Sequence, residues 1–166
     1  MLVVLLVLAN LRDDDRDDPP AQVSGPSTSA RADLPVLDVP VPPATPGTDA
    51  SCPRFMSDLP VELAAQRSRP VRSDTPYAYA WGEPPIVLRC GVERPAGFVR
   101  DAQVFDIDGV SWFVDDSDPD QYVYTAVDRP VYVEVTVPSS IDSEPVVVLS
   151  GLVTDTMPQQ ELRPGD

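Results

Sequence analysis

Two cysteines, Cys52 and Cys90, are the residues of this chain best suited to nucleophilic or redox chemistry. A reactive thiol needs partial exposure and a neighbouring base or positive charge that stabilises the thiolate. The chain has no histidine, which excludes Ser-His-Asp and Cys-His catalysis and any imidazole-ligated metal. All 12 basic residues are arginines, so Schiff-base chemistry and a phosphate-binding GxxxxGK loop, which need lysine, are excluded as well.

The pattern around Cys90 favours a structural disulfide over a reactive thiol. Strict alternation across residues 86–90 predicts a strand that turns Leu88 and Cys90 inward and Arg89 to the opposite face. An inward thiol without a base is a poor nucleophile, and two cysteines are too few for a structural zinc site. We therefore expect a Cys52–Cys90 disulfide in an exported protein, closing a loop of roughly 39 residues and contributing about 4 kcal/mol to the free energy of unfolding.

The sequence WGEPP, which starts at Trp81, precedes this strand and permits two interpretations. An exposed Trp81 beside rigid prolines, with Glu83 next to it, would form a binding platform for a sugar ring or a proline-rich peptide. A buried Trp81 would instead cover the disulfide, and Gly82 would make the turn into the strand. Trp81 and Glu83 are therefore candidate binding residues if the indole ring is exposed.

Three aspartates, Asp116, Asp118 and Asp120, have the D-x-D-x-D spacing of a calcium-binding loop. An EF-hand requires glycine at the sixth position and glutamate at the twelfth. This chain has Gln121 and Val127 there, and no clear helices flank the segment. We expect a solvated acidic loop with no metal and no cofactor, whose three aspartates belong to a possible binding surface.

The overall charge restricts the class of partner. The chain has 166 residues and a net charge of −15, so it repels phosphate backbones and anionic lipid headgroups. We expect no nucleic-acid partner. Among the 27 acidic residues, no carboxylate pair stands out as a glycoside-hydrolysis site, and the sequence identifies no catalytic residue.

Composition divides the chain into four segments. Residues 1–11 match the apolar core of a signal peptide or membrane anchor but are too short to span a bilayer. No basic residue precedes them, so we expect a segment truncated by a late start, with a buried first strand as the alternative. Residues 12–48 are acidic and proline-rich, which predicts a disordered stalk, although residues 36–41 could dock as an edge strand. We expect a folded domain over residues 49–157 and a flexible tail over residues 158–166.

A hairpin is predicted around the Asp-Gly dipeptide at positions 108–109, because this dipeptide supplies the positive φ angles of a two-residue type I′ turn. In that register Ile107 faces Val110, and Phe105 faces Trp112. These four side chains share one face of the hairpin. We expect that face to belong to the core.

A second strand pair and two helical segments complete the expected fold. Residues 122–126 and 131–137 alternate as two strands, and residues 55–64 have the spacing of two short helical turns. Residues 143–153 begin like a helix capped by Ser143, although a valine triplet also permits a strand. The sum is an α+β fold: a small antiparallel sheet of four or five strands with one or two helices packed on one face, and one disulfide.

Several short motifs follow one another along the chain. They are C-x6-LP at residues 52–60, AWGEPPIVLRCGV at 80–92, G-x-x-W at 109–112, YT-x-x-x-R at 124–129 and V-x-V-x-VP at 133–138. Over residues 50–155 the chain thereby resembles an actinobacterial family known only as domain of unknown function 3515. The resemblance implies an N-terminal hydrophobic segment and envelope localisation. It supplies no activity and no catalytic residues.

These features predict a cell-envelope protein whose non-enzymatic interaction or structural domain is presented outside the cytoplasmic membrane. We expect it to contact the membrane only through its N-terminal segment and to bind an envelope protein or a cell-wall component. The alternative is a carboxylate-dependent enzyme or glycan-binding module that acts on cell-wall polymer. An exposed Trp81 with Glu83, Asp116 or Asp118 beside it would favour that alternative.

Overall fold

A six-stranded antiparallel sheet is the centre of the fold in residues 33–166, the part of the chain that this computed structural model describes. The elements follow one another as β1 (Leu37–Asp38), α1 (Pro46–Ser57), β2 (Glu62–Leu63), β3 (Gln66–Arg67), β4 (Val71–Arg72), β5 (Ala78–Trp81), β6 (Ile86–Val92), β7 (Val104–Ile107), β8 (Val110–Asp115), β9 (Gln121–Ala126), β10 (Tyr132–Pro138) and α2 (Glu144–Thr156). The strand order of the sheet is β5-β6-β10-β9-β8-β7, so β5 and β7 are its two edges. Outside it, β1 pairs with β4 in parallel, and β2 pairs with β3 antiparallel.

The α+β class and the single disulfide are confirmed, but the main sheet has six strands rather than the expected four or five. The additional strand is β5, which pairs with β6 so that Trp81 lies opposite Ile86. Four residues beside a proline-rich loop are too few to show a clear alternation. The sequence pattern therefore indicates only a loop at this edge of the sheet.

The β7–β8 hairpin has the predicted turn and register. Asp108 and Gly109 have φ angles of 48° and 77°, and Phe105 pairs with Trp112. Trp112 is fully buried, whereas Phe105 is 45% exposed. The expectation that Phe105 belongs to the core is therefore wrong, because its strand forms the open edge of the sheet.

Helices α1 and α2 contribute to a single apolar core with one face of the sheet. The helical side chains in this core include Cys52, Phe55, Val146, Leu149 and Val153, and those of the sheet include Leu88, Trp112, Val133 and Val135. One polar contact crosses the core, where the indole Nε1 of Trp112 donates a hydrogen bond to Ser150 Oγ at 2.9 Å. This bond satisfies a buried N–H that would otherwise destabilise the fold.

Helix α2 confirms the helical interpretation of residues 143–153 and rules out the strand. Ser143 occupies the N-cap position but makes no side-chain capping bond. Instead Asp142 Oδ1 accepts a hydrogen bond from the backbone N–H of Glu144 at 2.9 Å. An aspartate therefore supplies the acceptor that we expected from the serine.

Helix α1 begins at Pro46 and ends at Ser57, so only the first of the two helical turns predicted over residues 55–64 is helical. The second is wrong, because Glu62–Leu63 form strand β2 and pair with β3. Helix α1 starts after a capping box in which Thr45 N donates to Thr48 Oγ1 at 2.7 Å, and Thr48 N donates to Thr45 Oγ1 at 3.2 Å. The usual sequence signature of a capping box has glutamate or glutamine at N3. Here N3 is Thr48, so the sequence did not show the usual signature of a helix start.

Ordered structure extends before residue 49, within the segment expected to be a stalk. Leu37 N donates to the carbonyl oxygen of Pro70 at 3.0 Å, and Val39 N donates to that of Arg72 at 2.9 Å. Neither donor residue is a proline, so both N–H groups are available for these bonds, and the Val39 side chain is buried. Within the described part of the predicted stalk, Leu37–Asp38 form the short strand β1 beside β4, inside the range of the edge-strand alternative, and α1 begins at Pro46.

The residues expected to form a flexible tail also contact the domain. Gln160 N donates to the carbonyl oxygen of Asp128 at 2.7 Å, and Gly165 N donates to that of Phe98 at 2.8 Å. The predicted signal or anchor segment at residues 1–11 lies outside the described residues. Among residues 33–166, no helix is both long and apolar enough to cross a membrane.

Candidate functional site

The two cysteines form the predicted disulfide. Cys52 of α1 and Cys90 of β6 are bonded, with Cα atoms 6.0 Å apart, and both residues are fully buried. No cysteine of the chain is free. The alternative of a reactive thiol is therefore wrong, and the bond acts as a staple between the first helix and the sheet.

Trp81 lies in the core and not on the surface. Its side chain is fully buried, its indole Nε1 donates a hydrogen bond to the carbonyl oxygen of Pro60 at 2.8 Å, and its ring centroid is 4.7 Å from that of Tyr79. The hydrogen bond satisfies the indole N–H, which would otherwise be a buried donor without an acceptor. An exposed Trp81 platform is therefore absent from the structure.

Glu83 forms an ion pair with the guanidinium of Arg69. The same guanidinium donates to the carbonyl oxygen of Gly82 at 3.0 Å and to that of Pro35 at 2.9 Å. Arg69 is buried, whereas the side chain of Glu83 remains more than half exposed. The carboxylate that we considered for binding thus helps to attach the N-terminal segment to the loop after β5.

The acidic loop between β8 and β9 is exposed, as predicted. Asp115 Oδ1 accepts a hydrogen bond from Ser117 N, and Asp118 Oδ1 accepts one from Asp120 N, both at 3.0 Å. The bonds from Ser117 lower the pKa of Asp115 below its usual value. Within residues 33–166, no group of three or more acidic or cysteine side chains is placed to hold a metal ion.

The structure does not bring Trp81 together with the acidic loop. The loop precedes β9, while Trp81 belongs to β5, and the strands β6 and β10 lie between these two. Three strand spacings of about 4.8 Å place β5 and β9 about 14 Å apart. The candidate binding residues predicted from the sequence therefore do not form one site.

A different site is present on the sheet beside the start of α2. It is an open groove of about 530 Å³ over strands β7, β8 and β9. Its lining is mostly aromatic or aliphatic and includes two acidic residues: Phe105, Ile107, Phe113, Val114, Tyr122, Tyr124, Asp106 and Asp116. By strand alternation the side chains on the groove face are those of Phe105, Ile107, Val114, Tyr122 and Tyr124, whereas Asp106 and Phe113 belong to the opposite face of the hairpin. We call it the aromatic groove.

The register of the sheet explains how the groove forms. Val114 lies opposite Tyr124, and Tyr122 lies opposite the buried Val137, so these side chains share the face that carries the core. Tyr124 packs edge-on against Trp112, with ring centroids 6.4 Å apart and an interplanar angle of 84°. The core is thus continuous with the floor of the groove, and this contact holds the tyrosine ring in place.

Two aromatic side chains of the groove are accessible to solvent. Phe105 is 45% exposed and Tyr122 is 39% exposed. Burial raises the pKa of Tyr124 above its ordinary value, and the nearby Tyr122 raises it further. Tyr124 therefore stays protonated at neutral pH and can both donate and accept a hydrogen bond.

The backbone of β7 adds polar groups along one side of the groove. In a hairpin with a two-residue turn, the pair next to the turn is hydrogen-bonded, and bonded and non-bonded pairs then alternate. Asp106 and Val104 are in the non-bonded pairs, opposite Ser111 and Phe113. Their N–H and C=O groups consequently point away from β8, toward the open edge of the sheet. Within residues 33–166 no further strand pairs with this edge.

A comparison with known protein families matches residues 1–162 to the model of the family described as Protein of unknown function (DUF3515). The chain belongs to the DUF3515 family. The resemblance noted over residues 50–155 is therefore confirmed and extends over nearly the whole chain. No curated protein and no solved structure matches the chain.

Of the residues that line the aromatic groove, only Asp116 was predicted from the sequence as a candidate binding residue. The aromatic residues were assigned to strands and to the core, since alternation reports which face a side chain is on but not whether that face is covered. The available signal was the pair Tyr122 and Tyr124, two tyrosines on one face of a predicted strand. A strand face with two such amphipathic side chains is a candidate for a partly exposed surface.

Proposed function

We propose that this DUF3515 protein is a non-enzymatic binding domain presented outside the cytoplasmic membrane, where it holds an envelope protein or a cell-wall component in the aromatic groove. The observation that carries the proposal is the exposure of Phe105 and Tyr122 in one solvent-open groove. An open groove lined mainly by aromatic and aliphatic side chains, with a few polar groups among them, is the usual form of a binding site. Aromatic residues are also the side chains most enriched at binding surfaces.

The buried disulfide supports the proposed location. Disulfides form and persist in oxidising compartments and are rare in the cytosol. The Cys52–Cys90 bond joins two elements of the core, which is the position of a structural bond and not of a redox-active one. An oxidising, extracytoplasmic environment agrees with this arrangement.

The chemistry of the groove supports binding more than catalysis. A general acid or base works best when its pKa lies close to the operating pH. The pKa of Tyr124 is raised and that of Asp115, beside the groove, is lowered, so both move away from neutral pH. Each group therefore keeps one protonation state across the neutral range and can serve as a fixed hydrogen-bonding group.

A glycan-binding module is the second candidate, because sugar rings stack on aromatic side chains while carboxylates accept hydrogen bonds from hydroxyl groups. Trp81 is buried and cannot form the sugar-binding platform considered in the sequence analysis. The aromatic groove, with Tyr122, Asp106 and Asp116, is the surface on which a glycan would be sought instead.

Quantitative co-purification from the native host tests the proposal. A Phe105→Ser variant removes an exposed groove side chain, whereas Val61→Ser removes an apolar side chain of similar exposure, 41%, next to Pro60 on the β5 side of the fold. We expect one envelope component to co-purify with the wild type and with Val61→Ser but not with Phe105→Ser. Equal recovery with all three proteins would contradict a role for the groove.

A further inference from the structure

We propose that the partner in the aromatic groove is an extended peptide segment that carries arginine or lysine and pairs with β7 as a seventh strand of the sheet. This inference rests on the proposed binding function and specifies the chemistry of the partner. Three features carry it: an edge with unpaired backbone groups, a groove that accepts alternate side chains, and a local charge of one sign.

The edge provides the backbone contacts. Strand β7 spans four residues, Val104–Ile107, and contains no proline, so every backbone N–H is present. Its one charged residue, Asp106, disfavours pairing with an acidic strand and favours a basic one. The outward N–H and C=O groups of Val104 and Asp106 form two donor–acceptor sets, spaced as an added strand requires. Peptide segments that bind by strand addition use such groups for affinity.

The groove provides the side-chain contacts. In an added strand every second side chain lies on the face that carries Phe105 and Ile107. These side chains would enter the aromatic groove next to Tyr122 and Tyr124, which belong to the same face. Groove-facing positions therefore accept aliphatic side chains, or arginine and lysine, whose stems pack on aromatic rings and whose charge interacts with the ring faces.

The charge of the site favours a basic partner. The lining contains no arginine. Asp106 lies on the edge strand itself, Asp116 is a lining residue, and the loop beside the groove adds Asp115, Asp118 and Asp120. A net charge of −15 for the whole chain acts in the same direction. Charge complementarity of this kind selects partners and accelerates association.

The same charges disfavour a second copy of this chain as the occupant. Two copies paired through β7 would bring their Asp106 and Asp116 carboxylates to one interface, and like charges so placed are repulsive. The first described residues do not occupy the groove either. Strand β1 pairs with β4, and the carbonyl oxygen of Pro35 accepts a hydrogen bond from Arg69 beside β5. An external basic peptide is thus the occupant that the observations favour.

Solution NMR on the full chain, with its disulfide intact, tests this inference. The probe is a short peptide of alternating arginine and valine. Its controls are the same peptide with glutamate in place of arginine and a version N-methylated at every second residue, which removes backbone donors but keeps the charge. We expect the basic peptide to protect the amides of Val104 and Asp106 from hydrogen exchange. Either control should bind at least about tenfold more weakly.

Two variants complete the design. Phe105→Ala should weaken binding of the arginine–valine peptide about tenfold, whereas Val61→Ala should leave its dissociation constant unchanged. The inference is overturned if the glutamate peptide binds as well as the arginine peptide. It is also overturned if the Val104 and Asp106 amides are already protected in the free protein, which would indicate that the edge is occupied by this chain or a second copy.

The result also separates this inference from the proposed function. If wall-polymer fragments, but not the basic peptide, shift the resonances of the groove, the partner chemistry is wrong and the binding function stands. If Phe105→Ser leaves co-purification from the host unchanged, the proposed function itself fails.

Discussion

The guanidinium of Arg129 donates a hydrogen bond to the carbonyl oxygen of Gly109 at 2.8 Å and thereby ties the β9–β10 connection to the turn of the β7–β8 hairpin. Arg129 is nearly fully buried and forms an ion pair with the equally buried Asp128 at 2.9 Å. Gln159 Nε2 donates to the other oxygen of that carboxylate at 3.1 Å. This cluster fixes the hairpin whose outer strand borders the aromatic groove.

Replacement of Arg129 by leucine should reduce the free energy of unfolding by about 3–5 kcal/mol, because it leaves the carboxylate of Asp128 buried without a cation. Urea denaturation monitored by tryptophan fluorescence measures this change. The matched control is Arg100→Leu, which breaks an exposed ion pair with Asp166 and should cost no more than about 1 kcal/mol. Similar losses in the two variants would contradict the structural role of Arg129.

Removal of the disulfide should destabilise the domain without changing its fold. In the Cys52→Ser, Cys90→Ser double variant we expect the free energy of unfolding to fall by about 4 kcal/mol, the cost of releasing a cross-link across a sequence separation of 38. Urea denaturation of the oxidised and variant proteins gives the difference. A loss well below 1 kcal/mol would mean that the cross-link restrains the unfolded chain far less than its loop length implies.

Two glycine-to-alanine substitutions should act in opposite directions. Gly91 has a φ of 89°, and an added Cβ would lie 2.3 Å from Thr48 Cγ2, so Gly91→Ala should destabilise the fold by about 3 kcal/mol. Gly151 lies within α2, and an added Cβ meets nothing within 4 Å. Gly151→Ala should therefore stabilise the fold by about 0.5–1 kcal/mol. Thermal unfolding distinguishes the two, and shifts of the same sign would contradict the packing described for Gly91.

Stability should decrease at alkaline pH. The hydroxyl of Tyr77 donates to Asp49 Oδ1 at 2.6 Å, and this bond raises the pKa of Tyr77 above 10.0. Burial likewise raises the pKa of Tyr124. The folded state therefore holds these protons when the unfolded chain has released them, so stability falls as the pH rises above about 10. Urea midpoints between neutral pH and pH values above about 10 measure the effect, and the Tyr77→Phe, Tyr124→Phe double variant should show a flatter dependence.

Local features of the sequence predicted local structure well. The Asp-Gly dipeptide at 108–109 determined the β7–β8 turn and register, and alternation in residues 86–90 oriented Cys90 correctly toward Cys52. In these cases the information lies within a few residues, where backbone conformation and side-chain period decide the outcome.

Features that depend on distant contacts were not predictable in this way. Trp81 is buried because Pro60 supplies an acceptor and Tyr79 a packing surface, and nothing within the WGEPP sequence specifies either contact. The aromatic groove depends on where α2 begins relative to the edge strand, so alternation alone could not separate the exposed Phe105 from the buried Trp112.

Photo-crosslinking at position 105 tests the central claim most directly. A photoreactive phenylalanine analogue is placed at residue 105, or at the similarly exposed Val61 as the control, and the full chain is irradiated in cells of the native host. We predict a single crosslinked envelope component from position 105 that is absent from the control and is competed by the arginine–valine peptide. Identical crosslinks from both positions, or none from position 105, would contradict the assignment of the aromatic groove as the binding site.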